Sequence, residues 1–144
     1  MGYTLAEIQG KHHSMFVDPS ERDSAAYREF WAALKRGEYQ SAEYKRIGKG
    51  GKEVWIQASY NPVFDAQGSP VKVIKFATDI TERKRAEGII AHLTTSLAKM
   101  AGGDLSGRID TQFTGQYEHL RLAFNQSLGR LFDIVNGLQK PHVV

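Results

Sequence analysis

The sequence predicts an α+β protein in two parts: short helices leading into an antiparallel three-stranded sheet, then two long amphipathic helices. Three observations carry this. Apolar residues recur at helical spacing up to residue 36, the period drops to two from Tyr39, and it returns to three and four beyond Thr81. The third strand, read as Val71-Lys-Val-Ile-Lys-Phe-Ala-Thr78, leads through Asp79-Ile80-Thr81 into the next helix without a loop. A domain that ends this way is suited to passing a conformational change along that helix.

The elements follow in order. Thr4-Leu-Ala-Glu7 has the spacing of a capping box, and Gly10 ends that first turn. Asp18-Pro-Ser20 is expected to open a second helix, with Glu21 and Asp23 in its electropositive first turn. Tyr27, Phe30, Trp31 and Leu34 give that helix an apolar stripe suited to core packing, and Gly37 stops it. Tyr39–Ile47 and Glu53–Phe64 read as strands joined by Gly48-Lys-Gly-Gly51. The turn Asp65-Ala-Gln-Gly68 leads to the third strand. Strand alternation puts Val54, Ile56, Ala58 and Tyr60 on one face, and Trp55, Gln57, Ser59 and Asn61 on the other. Lys75 stands out in a largely apolar strand and is expected to pair with a carboxylate, the alternative being an acidic group of a ligand.

Composition narrows the function classes. A hydrophobic content of 41% with 24% charged residues is that of a soluble globular protein. The net charge is +3, and the one basic cluster, Arg83-Lys84-Arg85, reads as a solvated helical turn, so nucleic acid is not an expected partner. With no cysteine there is no disulfide, thiolate metal site, cysteine nucleophile or flavin chemistry that needs a cysteine adduct. No apolar run nears the ~20 residues of a membrane span and no signal-peptide core is present, so a cytoplasmic location is expected, free or within a membrane-anchored receptor. The five histidines show no zinc-site spacing, no Gly-rich phosphate loop follows a strand, and no catalytic constellation stands out; a non-enzymatic role is expected.

Four segments occur in order and at suitable spacing: Gly2-Tyr3-Thr-Leu-Ala-Glu-Ile-Gln-Gly-Lys11, Gly50-Gly-Lys-Glu-Val-Trp55, Asn61-Pro-Val-Phe-Asp-Ala-Gln-Gly68 and Asp79-Ile80-Thr81. Together they resemble a PAS domain of the kind found in bacterial chemoreceptors, over residues 2 to about 85. Such a domain has five strands, and its first two normally precede the Gly-Tyr-Thr segment. Their absence is expected to leave the 71–78 edge open, to pair with another copy or to loosen this half. The resemblance implies a small-molecule pocket between helices and sheet, for which His13, Trp55, Tyr60, Asn61 and Lys75 are candidates. His12 or His13 could serve as an axial haem ligand, flavin is the other cofactor implied, and with two strands missing an empty pocket is expected. It also implies that Asp79, Ile80 and Thr81 couple the sheet to the outgoing helix.

In the second part Ile90, Leu93, Leu97 and Met100 are spaced as a coiled-coil seam. Ala101-Gly-Gly103 ends that helix, a connector follows, and Gln116 opens a second helix with Tyr117, Leu120, Phe124, Leu128, Leu131, Val135 and Leu138 on one face. Two successive spacings of four there shift the helix phase. This layout resembles a HAMP domain over residues 88 to 138, carried by Ala101-Gly-Gly-Asp-Leu105, Arg108-Ile109 and Ala123-Phe-Asn125. Ile89 stands where many such modules have proline, and Gln116 where they have glutamate. The resemblance implies a parallel homodimeric four-helix bundle with Ile90, Leu93, Leu97, Met100, Gly103, Asp104, Leu105, Leu120, Phe124, Asn125, Leu128 and Leu131 as connector and core. The expected organisation is thus residues 1–85 as a PAS domain lacking its first strands and 86–140 as a HAMP-like module. Its expected function is to relay a PAS change in a chemoreceptor, with a methyl-accepting signalling domain and a kinase downstream. The alternative is the sensory input of a histidine kinase or cyclic-dinucleotide enzyme.

Overall fold

The computed structural model describes residues 1–139, and the tail Pro141–Val144, including His142, lies outside them. The chain divides into two compact units, Met1–Lys84 and the residues from Arg85 onward.

The first unit opens with α1 (Leu5–Ile8), a 3-10 turn at His13–Phe16 and α2 (Ala25–Lys35). Sequence placed the start of α2 at Asp18–Ser20. Instead, Asp18 Oδ1 accepts from Ser20 N at 2.9 Å and from its Oγ at 2.7 Å, closing a local turn that uses up the cap. Ser24 takes that role, its Oγ accepting from Tyr27 N at 3.1 Å. Gly37 ends α2 at φ +86°, and a Cβ there would lie 2.8 Å from the Phe64 ring, so both backbone and space require glycine.

Strands β1 (Gln40–Ile47), β2 (Glu53–Phe64) and β3 (Pro70–Asp79) form an antiparallel meander with β2 central. Register pairs Tyr44 with Ile56, Arg46 with Val54, Ala58 with Ala77 and Tyr60 with Lys75. One sheet face therefore carries Tyr44 and Arg46 together with Val54, Ile56, Ala58 and Tyr60. These four β2 residues and Leu34 of α2 are buried and form the core of the unit, flanked by Phe30, Trp31, Tyr44 and Val73. β3 lies at an edge of the sheet and is exposed along most of its length.

The second unit holds α3 (Thr81–Ala101) from Arg85 on, a connector, and α4 (Tyr117–Gln139). Gly103, at φ +87°, closes α3: its N–H donates to Met100 O at 3.0 Å, and Asp104 N donates to Lys99 O at 2.9 Å. The connector folds back over the helices. Ile109 is fully buried with Ile89, Phe113, Phe124 and Leu128, and Leu93, Met100, Leu105 and Tyr117 pack around them. Asn125 pins the connector backbone, accepting from Ile109 N and donating to Ile109 O, both at 2.9 Å. Glu118 accepts from Phe113 N at 2.8 Å and pairs with Arg121, which donates to Ile109 O at 3.0 Å. The carboxylate at this end of α4 is thus supplied two residues after Gln116.

The seam read from sequence divides in the structure. Leu93 and Met100 turn into the core of the unit, while Ile90 and Leu97 are 57% and 47% exposed. On α4, Phe124 and Leu128 are buried whereas Leu120, Leu131 and Val135 are exposed. The cause is the connector: Ile109 and Phe113, with Ile89, fill the space between the helices and draw one apolar face of each inward.

Leu34→Ala is expected to lower the stability of the first unit by about 2–5 kcal/mol, the usual range for emptying a packed leucine site, as measured by urea unfolding followed by tryptophan fluorescence.

Candidate functional site

Two arrangements in the first unit concentrate polar chemistry. The first is the sheet-to-helix junction. Asp79 Oδ1 accepts from Thr81 N at 2.9 Å and from Thr81 Oγ at 2.6 Å. The same Thr81 oxygen accepts from Trp55 N at 3.1 Å, and Ile80 N donates to Trp55 O at 2.9 Å. Ile80 itself is buried. The bonds from Thr81, side chain first and backbone second, hold the Asp79 carboxyl below its usual range. Glu43 on β1 pairs with both Arg83 and Lys84, and the Lys84 ammonium lies 4.9 Å from the centre of the Trp55 ring. All three strands therefore grip the segment from Ile80 to Lys84. Asp79, Ile80 and Thr81 could be singled out in the sequence. The parts of Glu43 and of the Trp55 backbone could not, because only strand register brings them there.

The second arrangement lies on the inner sheet face. His13 leaves its 3-10 turn to meet two hydroxyls, Tyr27 at Nδ1 and Tyr60 at Nε2, each at 3.1 Å. Arg46 Nη2 donates to the Tyr60 oxygen at 3.4 Å. Either tautomer of neutral His13 satisfies all of them: Arg46 donates to Tyr60, and His13 accepts from one tyrosine hydroxyl while donating to the other. The chain needs neutral imidazole, since a second proton on His13 would aim two cations at the Tyr60 oxygen. Burial, chiefly, and then the charges of Arg46, Lys75 and His12 push the His13 pKa down to about 4. Around this chain Phe30, Tyr44 and Tyr60 pack edge to face at 4.8–5.9 Å. Beside it opens a groove of about 390 Å³, lined in part by Val17, Tyr27, Phe30, Tyr44 and Arg46.

Of the pocket candidates, His13, Tyr60 and Lys75 come together on this face, and Lys75 lies 5.1 Å from the Tyr60 ring centre. The expected carboxylate partner of Lys75 is replaced by that ring: the residue directly opposite it on β2 is Tyr60, not an acid. Trp55 and Asn61 fall on the opposite face, as alternation requires. Asn61 Nδ2 there donates to Ser59 Oγ and Ile74 O. Arg46 and Tyr27 were missed; a charged residue at an inward position of β1 was the available signal. His13 does not fit an axial haem ligand, because hydroxyls hold both its ring nitrogens. His12 Nδ1 accepts from Ser14 N at 3.1 Å, capping the 3-10 turn. Among the described residues no three His, Asp or Glu side chains gather as a metal site. His92 and His119 are exposed on α3 and α4.

This mixed fold, an antiparallel sheet packed on short helices, is the PAS-like architecture. The PAS fold family model matches residues 1–77, and the chain belongs to that family. The biofilm dispersion protein BdlA of Pseudomonas aeruginosa is 43% identical over 101 residues, which cover 68% of this chain and 24% of that protein. The aerotaxis receptor of Escherichia coli is 39% identical over 62 residues, 43% of this chain and 12% of the receptor. The chain thus spans a quarter or less of either relative. The crystal structure of the PAS domain of a Colwellia psychrerythraea protein superposes with a TM-score of 0.50 at 21% identity, covering 56% of this chain and 68% of that one. These relationships place the first unit among the PAS sensory domains of signalling proteins. No helix of the described residues is long and apolar enough to cross a membrane.

Two outcomes are expected. Thr81→Val removes one acceptor and one donor together, so it should cost about 1–3 kcal/mol and speed amide exchange at Trp55, read by NMR. The His13 pKa is depressed in the fold, so the unfolded chain binds the extra proton first. Stability is then full above about pH 6.5, the ordinary histidine value, and falls as pH drops toward about 4. His13→Phe should flatten the stability profile between pH 7 and 5, measured by urea titration at each pH.

Proposed function

We propose that this chain is a sensory relay of a chemoreceptor-like signalling protein. The PAS unit biases the first turn of α3, and the helical module downstream acts as a HAMP-like parallel homodimer. The observation that carries this reading is the convergence of β1, β2 and β3 on residues 80–84. A shift in the sheet has to be felt by a helix start held at Glu43, Trp55 and Asp79 together. Signalling would be a change in population between two packings of the dimer.

The exposed apolar positions of the second unit support self-association. Ile90 and Leu97 lie one heptad apart on α3, and Leu120, Leu131 and Val135 are uncovered on α4. A soluble protein buries such a stripe against a partner, and a second copy offers the matching one. The likeness to the aerotaxis receptor and to BdlA supports a chemoreceptor-type setting, in which a methyl-accepting coiled coil and a kinase would lie downstream.

Absence of native cysteine makes the test clean. In oxidised protein Leu97→Cys should give a disulfide-linked dimer, while Thr95→Cys, about 160° round the helix from Leu97, should stay monomeric on non-reducing gels. Equal cross-linking at both positions, or none at either, rules out the seam. A mass by light scattering that stays monomeric at high concentration would do the same.

A further inference from the structure

Arg46 is 5% exposed, and its Nε has no hydrogen-bond partner among the described residues. Among the described residues its Nη1 reaches only the carbonyl of Lys45, at 3.2 Å, and its Nη2 only the Tyr60 hydroxyl, at a long 3.4 Å. The guanidinium lies 4.6 Å from the Tyr44 ring centre, and it is in no ion pair with a described carboxylate. A guanidinium cannot shed its charge, so burial without a counter-charge is a standing cost that an anion relieves.

The groove beside it suits such an anion if the anion also has an apolar body. Val17, Phe30 and the faces of Tyr27 and Tyr44 form its apolar lining. Glu21, also on the groove, is exposed, and it disfavours more than one negative charge on the ligand. We propose that this groove is the sensory site for a small monocarboxylate with an apolar or aromatic body, its carboxylate held side-on by Nε and Nη2 of Arg46. The inference rests on reading the first unit as a sensory domain.

Binding here has a path to the junction. A carboxylate on Nη2 takes Arg46 away from Tyr60, which frees that hydroxyl from its one charged donor. Tyr60 and Trp55 lie on the same strand, and Trp55 holds Thr81. The ligand therefore acts on the strand whose other end fixes the start of α3.

Benzoate is a suitable probe and benzamide its neutral counterpart. In NMR titrations of the 144-residue protein, benzoate should shift the Tyr27, Phe30, Tyr44 and Arg46 resonances and bind about tenfold or more tighter than benzamide, since a charge-assisted fork is worth at least that. Arg46→Met should abolish the difference, and Glu21→Gln should strengthen benzoate. If Glu21 were instead the true partner of Arg46, Glu21→Gln would leave affinity unchanged and lower the melting temperature. Equal binding of benzoate and benzamide to the unaltered protein would overturn the assignment to a carboxylate, whatever the variants do. Inorganic phosphate binding as tightly as benzoate would overturn the need for an apolar body, and no binding by any of the three would overturn the site. In each of these failures a surviving Leu97→Cys cross-link would leave the relay standing, because the two readouts are independent.

Discussion

The structure turns on one oxygen, the hydroxyl of Thr81. It donates to Asp79 at 2.6 Å and accepts from the Trp55 amide at 3.1 Å, so it uses its proton and a lone pair at once. It acts with the Ile80–Trp55 backbone bond and the Glu43 ion pairs to fix the exit from β3 into α3. The hydroxyl ties that exit to β2, the central strand, and the Asp79 carboxylate occupies the N-terminal end of α3, where a negative charge is favoured. Serine would offer the same atom, but β-branched threonine has fewer rotamers to give up and holds it in place at lower entropic cost.

Beside this well-satisfied junction stands a poorly satisfied core. The inner sheet face sets Arg46, Lys75 and the Tyr60–His13–Tyr27 chain among apolar side chains, and the one hydrogen bond joining a cation to the chain, from Arg46, is its longest, at 3.4 Å. A buried network with such a weak member is easily reorganised, whereas a fully bonded one resists change. Neutral His13 fits the same logic. It completes the chain as donor and acceptor, and burial first, then the charges of Arg46, Lys75 and His12, disfavour a second proton.

The sequence made the strands and their faces legible because a period of two is a local property. The junction triplet was legible for the same reason, as a strand followed at once by capping residues. What escaped was set by competition or register. Asp18 looked like a helix cap, but it closes a turn with Ser20 first, so α2 begins at Ala25. Lys75 had no way to announce that its cross-strand neighbour is an aromatic ring. Grouping Trp55 and Asn61 with Tyr60 in one pocket conflicted with the alternation already evident in the sequence. The helical seam was legible only as an apolar face: periodicity marks such faces but cannot say which of two partners covers each position, a connector or a second chain.

That distinction gives the second unit its character. The polar clamp of Glu118, Arg121 and Asn125 fixes the connector backbone at Ile109 and Phe113, and these carry their side chains into the space between the helices. The core made this way uses Ile89, Phe124 and Leu128 and leaves Ile90, Leu97, Leu120, Leu131 and Val135 uncovered. Each helix thus has two adjacent apolar faces and one internal partner. Because Ile89 and Ile90 are neighbours in sequence, a rotation of α3 that buries one further must expose the other. On the relay proposed above, a helix built so would trade its internal contacts against its external ones, and a small turn imposed at Thr81 would be the input to which that balance responds.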